Sequence, residues 1–315
     1  MGAYVVRRLL AIIPLLLIVS FIVFALSLLI PGDPARVVAG GQKATPAGVA
    51  RARAKLHLDK SLPEQYGLWL GDAVQGDLGD SFYNHRTVGS EIASRFPVTL
   101  SIAIGALALT IMLGVPLGIL AGTRPGSLAD RVVTFTSSIG LAMPDFWLAM
   151  ILLSIFAVGL HVLPSGGYVG IAQSPVAWAT HLYLPWIAIG IPGAAGIARQ
   201  VRGAMIDALE QDYVRTAAAK GLRRRAIVFK HALKNASLVP VTVLGITFAY
   251  MLGGTVIIEN IFSLPGMGQY FYQALIQKDL PVIQGVVLLT ALIFVILNLA
   301  VDLFYAYLNP KVRLG

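Results

Sequence analysis

Residues 212–240 read DYVRTAAAKGLRRRAIVFKHALKNASLVP, a basic, helix-prone segment between two strongly apolar stretches of the chain. The alanines at 217–219 favour a helix, and Gly221 is suited to close that helix in the left-handed conformation. A second helix is predicted over 223–236, with an apolar stripe formed by Ala226, Phe229, Leu233 and Ala236. A segment that only joined two membrane spans would need no pair of helices, so these residues are predicted to dock against another surface.

The spacing of the residues in this segment does not determine whether the segment docks on lipid or on a protein. Arg223, Arg224 and Arg225 are typical of a cytoplasmic loop held near lipid, and an amphipathic helix can lie on anionic headgroups. A protein partner on the cytoplasmic side is the other interpretation. The residues of the loop do not distinguish between the two.

Composition places the chain in a membrane. Hydrophobic residues make up 57% of the 315 positions, charged residues only 12%, and the mean hydropathy is +0.78. Because a helix needs about 20 apolar residues to cross a hydrocarbon core of roughly 30 Å, the sequence predicts an all-α polytopic protein with six spans. These cover residues 9–30, 98–122, 132–160, 183–199, 238–258 and 283–307. The fourth is short, and its helix is expected to continue beyond the bilayer. No cysteine is present, which excludes disulfides and thiolate chemistry.

The basic residues predict the orientation. Most Lys and Arg residues fall in segments that alternate spans place on one side, namely Arg7 and Arg8, Arg124 and Arg131, the run from 199 to 234, and Lys311 with Arg313. Positive residues stay cytoplasmic, so both termini, including the tail 308–315, are expected inside and residues 31–97 outside. The net charge of +9 then reflects topology, and nothing in the pattern favours nucleic-acid binding.

Residues 31–97 predict a small helical extracytoplasmic domain, so that residues 1–97 precede a membrane core of residues 98–307. Thr45 and Pro46 predict the start of one helix, and the segment 61–63 predicts the start of another. The second helix carries one apolar face, formed by Tyr66, Trp69, Leu70, Ala73 and Val74. This face is expected to pack on the protein's own spans, to lie in the membrane interface, or to meet a partner.

Small residues recur at every fourth position of the second predicted span, at Ala106, Thr110, Gly114, Gly118 and Gly122. Small side chains at this spacing let helix backbones approach closely in lipid. The sequence predicts packing between helices of the same chain, and contact with a second membrane subunit is the alternative.

An acidic residue inside a predicted span is costly and is therefore a functional candidate. Asp145 follows the kinking Pro144 in the third predicted span. With its neighbours Phe146 and Trp147, it is a candidate for lining a path through the membrane. A hydrogen bond to a neighbouring helix is the structural alternative.

Two further acids lie near the ends of predicted spans. Glu259 and Asn260 follow the fifth span near its outer end, as candidates for a gate, a cargo contact or a structural pair. Asp302 is expected to form a structural salt bridge with Arg7 or Arg8. No metal site is predicted, because the few histidines lack clustered partner ligands.

The run RTAAAKG followed by HALKNASLVP resembles the EAA loop of binding-protein-dependent ABC importer permeases of the dipeptide and oligopeptide subfamily. In that family the loop carries Glu-Ala-Ala, three residues and then Gly. Ala217 and Gly221 match this motif, whereas Arg215 and Thr216 stand in place of its first two residues. Further similarity covers almost the whole chain, in YVVRRLL, LLIPGDPA, QGDLGDSF, RFPVTL, MPDFWLA, ENIFSLPGMG, DLPVIQG and NLAVDLFYAYLNPKVR. The opening of the chain is similar to the first of the two permeases in these systems.

The resemblance implies the fold of a type I ABC importer permease, a multi-pass protein surrounded by lipid in the bacterial plasma membrane and not an enzyme. It implies as partners a second homologous permease, two ATP-binding subunits that hold ATP and Mg, and an extracytoplasmic solute-binding protein that delivers short peptides. The chain contains no GxxxxGK[ST] motif, so no cofactor is expected on it. The loop 200–237 is implied to contact an ATP-binding subunit through Arg215, Thr216, Ala217, Ala218, Gly221, Arg224, Lys230 and Asn235.

Other functions remain as alternatives. The same subfamily also serves nickel, glutathione and other small solutes. A stand-alone ion-coupled transporter would predict inverted repeats and paired intramembrane charges, and neither is clear in the sequence. A membrane-embedded hydrolase would need a nucleophile beside a base, and no such arrangement is recognisable.

Overall fold

The computed structural model describes residues 2–29, 32–236 and 238–308, and helices account for most of them. Within these ranges no strand forms apart from one isolated bridge between Asp80 and Thr87. The chain divides into two compact units. Of the described residues, the core unit holds 98–265 and 296–308, and the N-terminal unit holds 2–97 and 266–295.

The N-terminal unit contains four helices before the first long span, one short helix late in the chain, and the beginnings of two long helices. In chain order these are α1 (Gly2–Leu29), α2 (Pro34–Val38), α3 (Pro46–Lys55), α4 (Leu62–Val74), α5 (Val88–Gly122), α13 (Met267–Gln277) and α14 (Leu280–Leu308).

The core unit contains the remainder of α5 and α14 together with the seven described helices that directly follow α5. These are α6 (Leu128–Ala142), α7 (Asp145–Leu152), α8 (Pro175–Leu209), α9 (Asp212–Ala219), α10 (Arg224–Ala226), α11 (Leu233–Ala236) and α12 (Leu238–Ile261). Two π-helical segments, Leu153–Gly159 and Ile227–Ala232, continue α7 and α10 respectively.

Four helices in the described part of the chain are long and apolar enough to cross a membrane, at Val88–Gly122, Pro175–Leu209, Pro240–Ile261 and Leu280–Val301. A bent pair, Leu128–Ala142 with Asp145–Gly159, counts as a fifth if it forms one span. The first predicted span falls in α1, Gly2–Leu29. The all-α membrane fold is confirmed, and the count of six spans is not.

The third predicted span, 132–160, consists of two helical halves, and the kink expected at Pro144 is present. Its two halves are bent by 95°. Met143 has extended backbone angles, and Pro144 follows it as the residue before α7. Because a proline has no N–H and disfavours helical angles in the residue before it, the helix ends here and restarts in a new direction. The bend makes Asp145 the first residue of α7.

The fourth predicted span lies inside α8, a helix of 35 residues that contains Pro185 and Pro192. The expected continuation of this helix beyond residues 183–199 is confirmed. Ser174 caps its start by accepting a hydrogen bond from the Ala177 amide. Helix α8 packs against α6, α7 and α12, so it supplies the central surface of the core unit.

The short helices of the N-terminal unit begin where the sequence predicts. The Thr45 hydroxyl accepts a hydrogen bond from the Gly48 amide, and Pro46 is the first residue of α3. Ser61 and Glu64 form a reciprocal capping box at the start of α4. The Ser61 hydrogen bonds also hold the pKa of the Glu64 carboxyl below its usual range.

The apolar face of α4 contacts the first helix of the same chain. The rings of Tyr66 and Trp69 pack on Phe24 of α1, with centroids 5.6 and 5.9 Å from it, and the Tyr66 and Ser20 hydroxyls lie 2.8 Å apart. Val74, at the other end of the face, is 80% exposed. The first turns of the face therefore pack on the protein's own helix, while its last residue does not.

The glycines at every fourth position of α5 lie against α8. A Cβ at Gly114 would come within 2.8 Å of the Ala194 carbonyl oxygen, and one at Gly118 within 2.6 Å of the Val201 Cβ. The same holds at Gly122 against Met205 of α8, at 2.7 Å. The two backbones approach so closely that only glycine fits, and this contact is made within one chain.

Candidate functional site

A partly open cavity of about 260 Å³ lies in the core unit between the α6–α7 bend, α8 and α12. Most of its wall is apolar, with a few polar side chains. The lining residues are Leu141, Asp145, Ile189, Pro192, Gly193, Gly196, Ile197, Gln200, Val243, Thr247, Tyr250, Met251 and Gly254.

Small residues and the proline bend make room for this cavity. A Cβ at Gly196 would meet only Leu141, at 3.6 Å, and one at Gly254 would meet nothing within 4 Å. The bend at Pro144 ends α6 beside α8 and starts α7 with Asp145. The cavity thus lies where four helices of the core unit, α6, α7, α8 and α12, leave the space between them unfilled.

Asp145 is the acidic residue of this cavity. No described residue forms a hydrogen bond or an ion pair with its carboxylate, and its side chain is partly buried. Of the other predicted path residues, Phe146 and Trp147 do not line the cavity and are close to half exposed. A lone charge is costly in apolar surroundings, so binding of a cation to an unpaired carboxylate in an apolar wall is energetically favourable.

Glu259 and Asn260 lie elsewhere in the core unit. Both are still inside α12, which ends at Ile261, so the predicted limit of this span at residue 258 is three residues too early. Glu259 is fully buried and accepts a hydrogen bond of 2.7 Å from the Thr99 hydroxyl of α5. The Asn260 amide donates to the Val256 carbonyl of its own helix. Neither residue lines the cavity.

The side chains of Asp302, Arg7 and Arg8 lie outside the part of the chain that the structure describes. Their predicted salt bridge therefore stays a prediction. Among the described residues, no group of three or more His, Cys, Asp or Glu side chains is placed to hold a metal ion.

The segment 212–236 forms the predicted pair of helical pieces. Gly221 has a φ of +78°, so the left-handed turn after α9 is confirmed. Val214, Ala217 and Ile227 form a small buried cluster that holds the two pieces together. Of the residues implied to meet an ATP-binding subunit, Ala217 is thus buried. The rest are exposed, namely Arg215, Thr216, Ala218, Gly221, Arg224, Lys230 and Asn235.

The predicted apolar stripe on the second piece is wrong in part. Ile227, Val228 and Ala232 are buried, whereas Phe229 is 54% exposed. The cause is the π-helical winding of Ile227–Ala232, which accommodates more residues per turn than an α-helix and so rotates the following side chains. As a result, Phe229 joins Tyr213 and Leu222 as an exposed large apolar residue on a basic loop.

An ion pair that no sequence pattern indicates braces the turn between α5 and α6. Arg202 of α8 donates through Nε to Asp130 Oδ1 and through Nη2 to Oδ2, the latter over 2.9 Å. The Gly126 amide donates to the same carboxylate over 2.9 Å. Arg224, in the loop after α9, donates to the Thr123 carbonyl over 2.7 Å. The turn is therefore held by two arginines, one from α8 and one from the segment 212–236.

A second missed network lies in the N-terminal unit. Asp279 accepts a hydrogen bond of 2.5 Å from the Ser81 hydroxyl and one of 3.1 Å from the Phe82 amide. This joins two of the segments that carry the family resemblance, QGDLGDSF and DLPVIQG. Nearby, burial and then the negative charges of Asp279 and Glu91 raise the pKa of the Tyr270 phenol to about 12.

Residues 266–295, assigned by the sequence to the membrane core, pack with residues 2–97. Val88 and Ile92 form one buried apolar cluster with Met267, Tyr270 and other residues of this late segment. The apolar surface buried in this cluster joins the late segment to the N-terminal unit.

Comparison with known proteins extends these observations to function. Residues 1–103 match the family described as the N-terminal part of the membrane component of binding-protein-dependent transport systems, and residues 114–314 match the family described as binding-protein-dependent transport system inner membrane component. Among solved structures, a chain of the inward-facing MetNI methionine ABC transporter, in its CY5 native crystal form, has a similar fold. The TM-score is 0.56 at 20% identity, over 69% of this chain and 96% of that chain.

Relatives match over the full length. The probable peptide ABC transporter permease protein y4tP of Sinorhizobium fredii is 40% identical over 99% of this chain and 100% of its own. A putative peptide transport system permease protein of Brucella abortus is 39% identical over 99% of both chains. The glutathione transport system permease protein GsiC of Pectobacterium atrosepticum is 40% identical over 98% of both. The chain belongs to the family of binding-protein-dependent transport system inner membrane components.

Proposed function

We propose that this chain is the translocating subunit of an ATP-driven importer of short peptides, with the cavity at Asp145 on the cargo's route. The observation that carries the proposal is the cavity itself, which opens between helices that are long and apolar enough to lie in a membrane. The relatives named as peptide permeases indicate the cargo class.

Glutathione is the second candidate cargo, because a relative named as a glutathione permease is as similar as those named for peptides. Both candidates give the chain the same role as a membrane subunit without ATP hydrolysis of its own. ATP and Mg would be held by two partner subunits, a second homologous permease would complete the route, and a solute-binding protein would deliver the cargo.

The exposed face of the segment 212–236 is proposed as the surface that meets an ATP-binding subunit. It presents Tyr213, Leu222 and Phe229 among the arginines and lysines of the loop. Exposed large apolar residues on a charged loop favour a protein partner over solvent. Through the Arg224 bond to the Thr123 carbonyl, movement of this segment would reach the α5–α6 turn directly.

The segment 212–236 is rich in Arg and Lys, which supports a cytoplasmic location for the segment and for both termini. The proposed localisation is the bacterial inner membrane, with residues 31–97 outside.

The cavity is tested with two neighbouring glycines of α12. Neither a Cβ at Gly254 nor one at Gly253 would meet an atom within 4 Å, but only Gly254 lines the cavity. In the assembled importer, we expect Gly254→Leu to reduce peptide uptake at least about tenfold while basal ATP hydrolysis is kept. Gly253→Leu should transport normally, since leucine is a better helix former than glycine. Equal uptake by the two variants would refute a route through this cavity.

A further inference from the structure

We propose that the Asp145 carboxylate binds the ammonium group of the cargo inside the cavity, so that a free amino terminus or a lysine side chain enters first. This inference rests on the proposed import function and adds to it the chemical group that the cavity recognises. Asp145, Gln200, Thr247 and Tyr250 are the side chains on which it depends.

The charged side chain that lines the cavity is negative, and no positive side chain balances it among the described lining residues. Among the described lining residues Asp145 is the carboxylate, and none is Lys, Arg or His. The polar groups beside it are the Gln200 amide and the hydroxyls of Thr247 and Tyr250, which carry no charge to balance it. In an apolar wall the field of such a carboxylate is weakly screened, so the cavity attracts a cation and repels a carboxylate.

The carboxylate is also available. It forms no ion pair or hydrogen bond with any described residue, and the residue before it, Pro144, offers no side-chain cap to the helix. As the first residue of α7, Asp145 lies where the helix dipole favours a negative charge. The helix dipole stabilises the negative charge, but it provides no ion-pair partner for the desolvated carboxylate. A cationic ligand provides that partner.

The size of the cavity fits one end of a short peptide. Its volume of about 260 Å³ lies just below the range of about 300–1,000 Å³ typical of sites for whole drug-sized ligands. With the ammonium on Asp145, the Gln200 amide and the Thr247 hydroxyl are available for the first peptide group. The apolar wall formed by residues such as Ile189 and Val243 suits a side chain.

The chain contains no cysteine, so an introduced thiol is unique within it. In the assembled complex, Thr247→Cys is treated with a cationic trimethylammonium methanethiosulfonate or with an anionic sulfonate analogue. Labelling of this chain is followed by mass spectrometry. Each labelling rate is divided by the rate at which the same reagent reacts with 2-mercaptoethanol. We expect this normalised rate to be at least about tenfold higher for the cationic reagent than for the anionic one, and this quotient is the charge ratio. Asp145→Asn in the same background should bring the ratio close to one.

Gly253→Cys is the matched control, because Gly253 lies next to the lining residue Gly254 but does not line the cavity. The charge ratio measured at Gly253→Cys should not change when Asp145 is replaced by asparagine. A charge preference at Thr247→Cys that is the same with and without the Asp145→Asn substitution would overturn the proposal. Failure of the cationic reagent to label Thr247→Cys would overturn it too.

The ligand is tested with two probes of equal size class. Alanyl-alanyl-alaninamide, which has an ammonium and no carboxylate, should slow the labelling of Thr247→Cys, and the effect should vanish with Asp145→Asn. N-acetylated alanyl-alanyl-alaninamide should not protect in either background. Protection by both probes would contradict recognition of the ammonium. If the complex imports no peptide, the proposed function falls, whereas import with a flat charge ratio removes only the role of Asp145.

Discussion

Replacing Asp130 with asparagine tests the brace between α8 and the α5–α6 turn. The Asp130 side chain is 5% exposed and accepts two hydrogen bonds from Arg202, one from the Gly126 amide and a longer one from the Thr134 hydroxyl. Asparagine keeps the size of the side chain and removes its charge. Losing one partner of a buried ion pair costs about 3–5 kcal/mol. Because the Arg202 side chain is 31% exposed and can be rehydrated, we expect a smaller loss, about 2–3 kcal/mol.

The assay is thermal unfolding of the assembled complex in detergent. If each kcal/mol shifts the Tm by about 2–4 °C, Asp130→Asn should lower it by at least about 4 °C. Asp212→Asn is the control, because the Asp212–Arg215 pair is long, at 3.5 Å, and both side chains are exposed. Exposed pairs contribute about 0–1 kcal/mol, so the Tm should barely move.

A double-mutant cycle with Arg202→Gln shows whether the pair itself carries the cost. The double variant should be little less stable than either single variant, because each one already breaks the bond. Additive losses would show that the two side chains act independently. A loss for Asp130→Asn no larger than that for Asp212→Asn would show that the pair does not brace the turn.

The geometry yields three further predictions. Gly221→Val forces a β-branched residue to a φ of +78°, at about 1–2 kcal/mol of strain, and cargo-stimulated ATP hydrolysis should fall severalfold. The control is Gly203→Val, on a helix with open space around it, which should leave this hydrolysis unchanged. Glu259→Gln should lower the Tm, as should Thr99→Val, without changing uptake per folded complex; a tenfold loss of uptake at an unchanged Tm would instead make Glu259 a gate or cargo residue. Reporter fusions at Gly89 and Gly221 should report opposite sides of the membrane, and the same side for both would contradict the proposed topology.

Local features of the structure could be predicted because their causes lie within a few residues. Thr45 and Ser61 cap helices through bonds to residues three positions away, and Gly221 turns the chain because it has no Cβ. Asp145 is a candidate on similarly local grounds, because it is an acid beside a proline in an apolar stretch.

Long-range features could not be predicted, because the sequence of one segment does not indicate which distant segment it contacts. Asp130 and Arg202 are 72 residues apart, and Ser81 and Asp279 are 198 apart. The cavity likewise depends on where four separate helices leave space. The exposure of Phe229 follows from a π-helical turn, for which the apolar spacing of the loop carries no signal.

ATP-driven peptide import is tested most directly by uptake into proteoliposomes that contain this chain with its partner permease and ATP-binding subunits. The solute-binding protein and a mixture of di- and tripeptides are added on the binding-protein side, ATP is supplied on the other, and the peptides that accumulate are measured by mass spectrometry. We predict that peptides accumulate only when ATP and the binding protein are both present. Accumulation driven by an ion gradient without ATP, or no accumulation of any peptide, would contradict the proposed function.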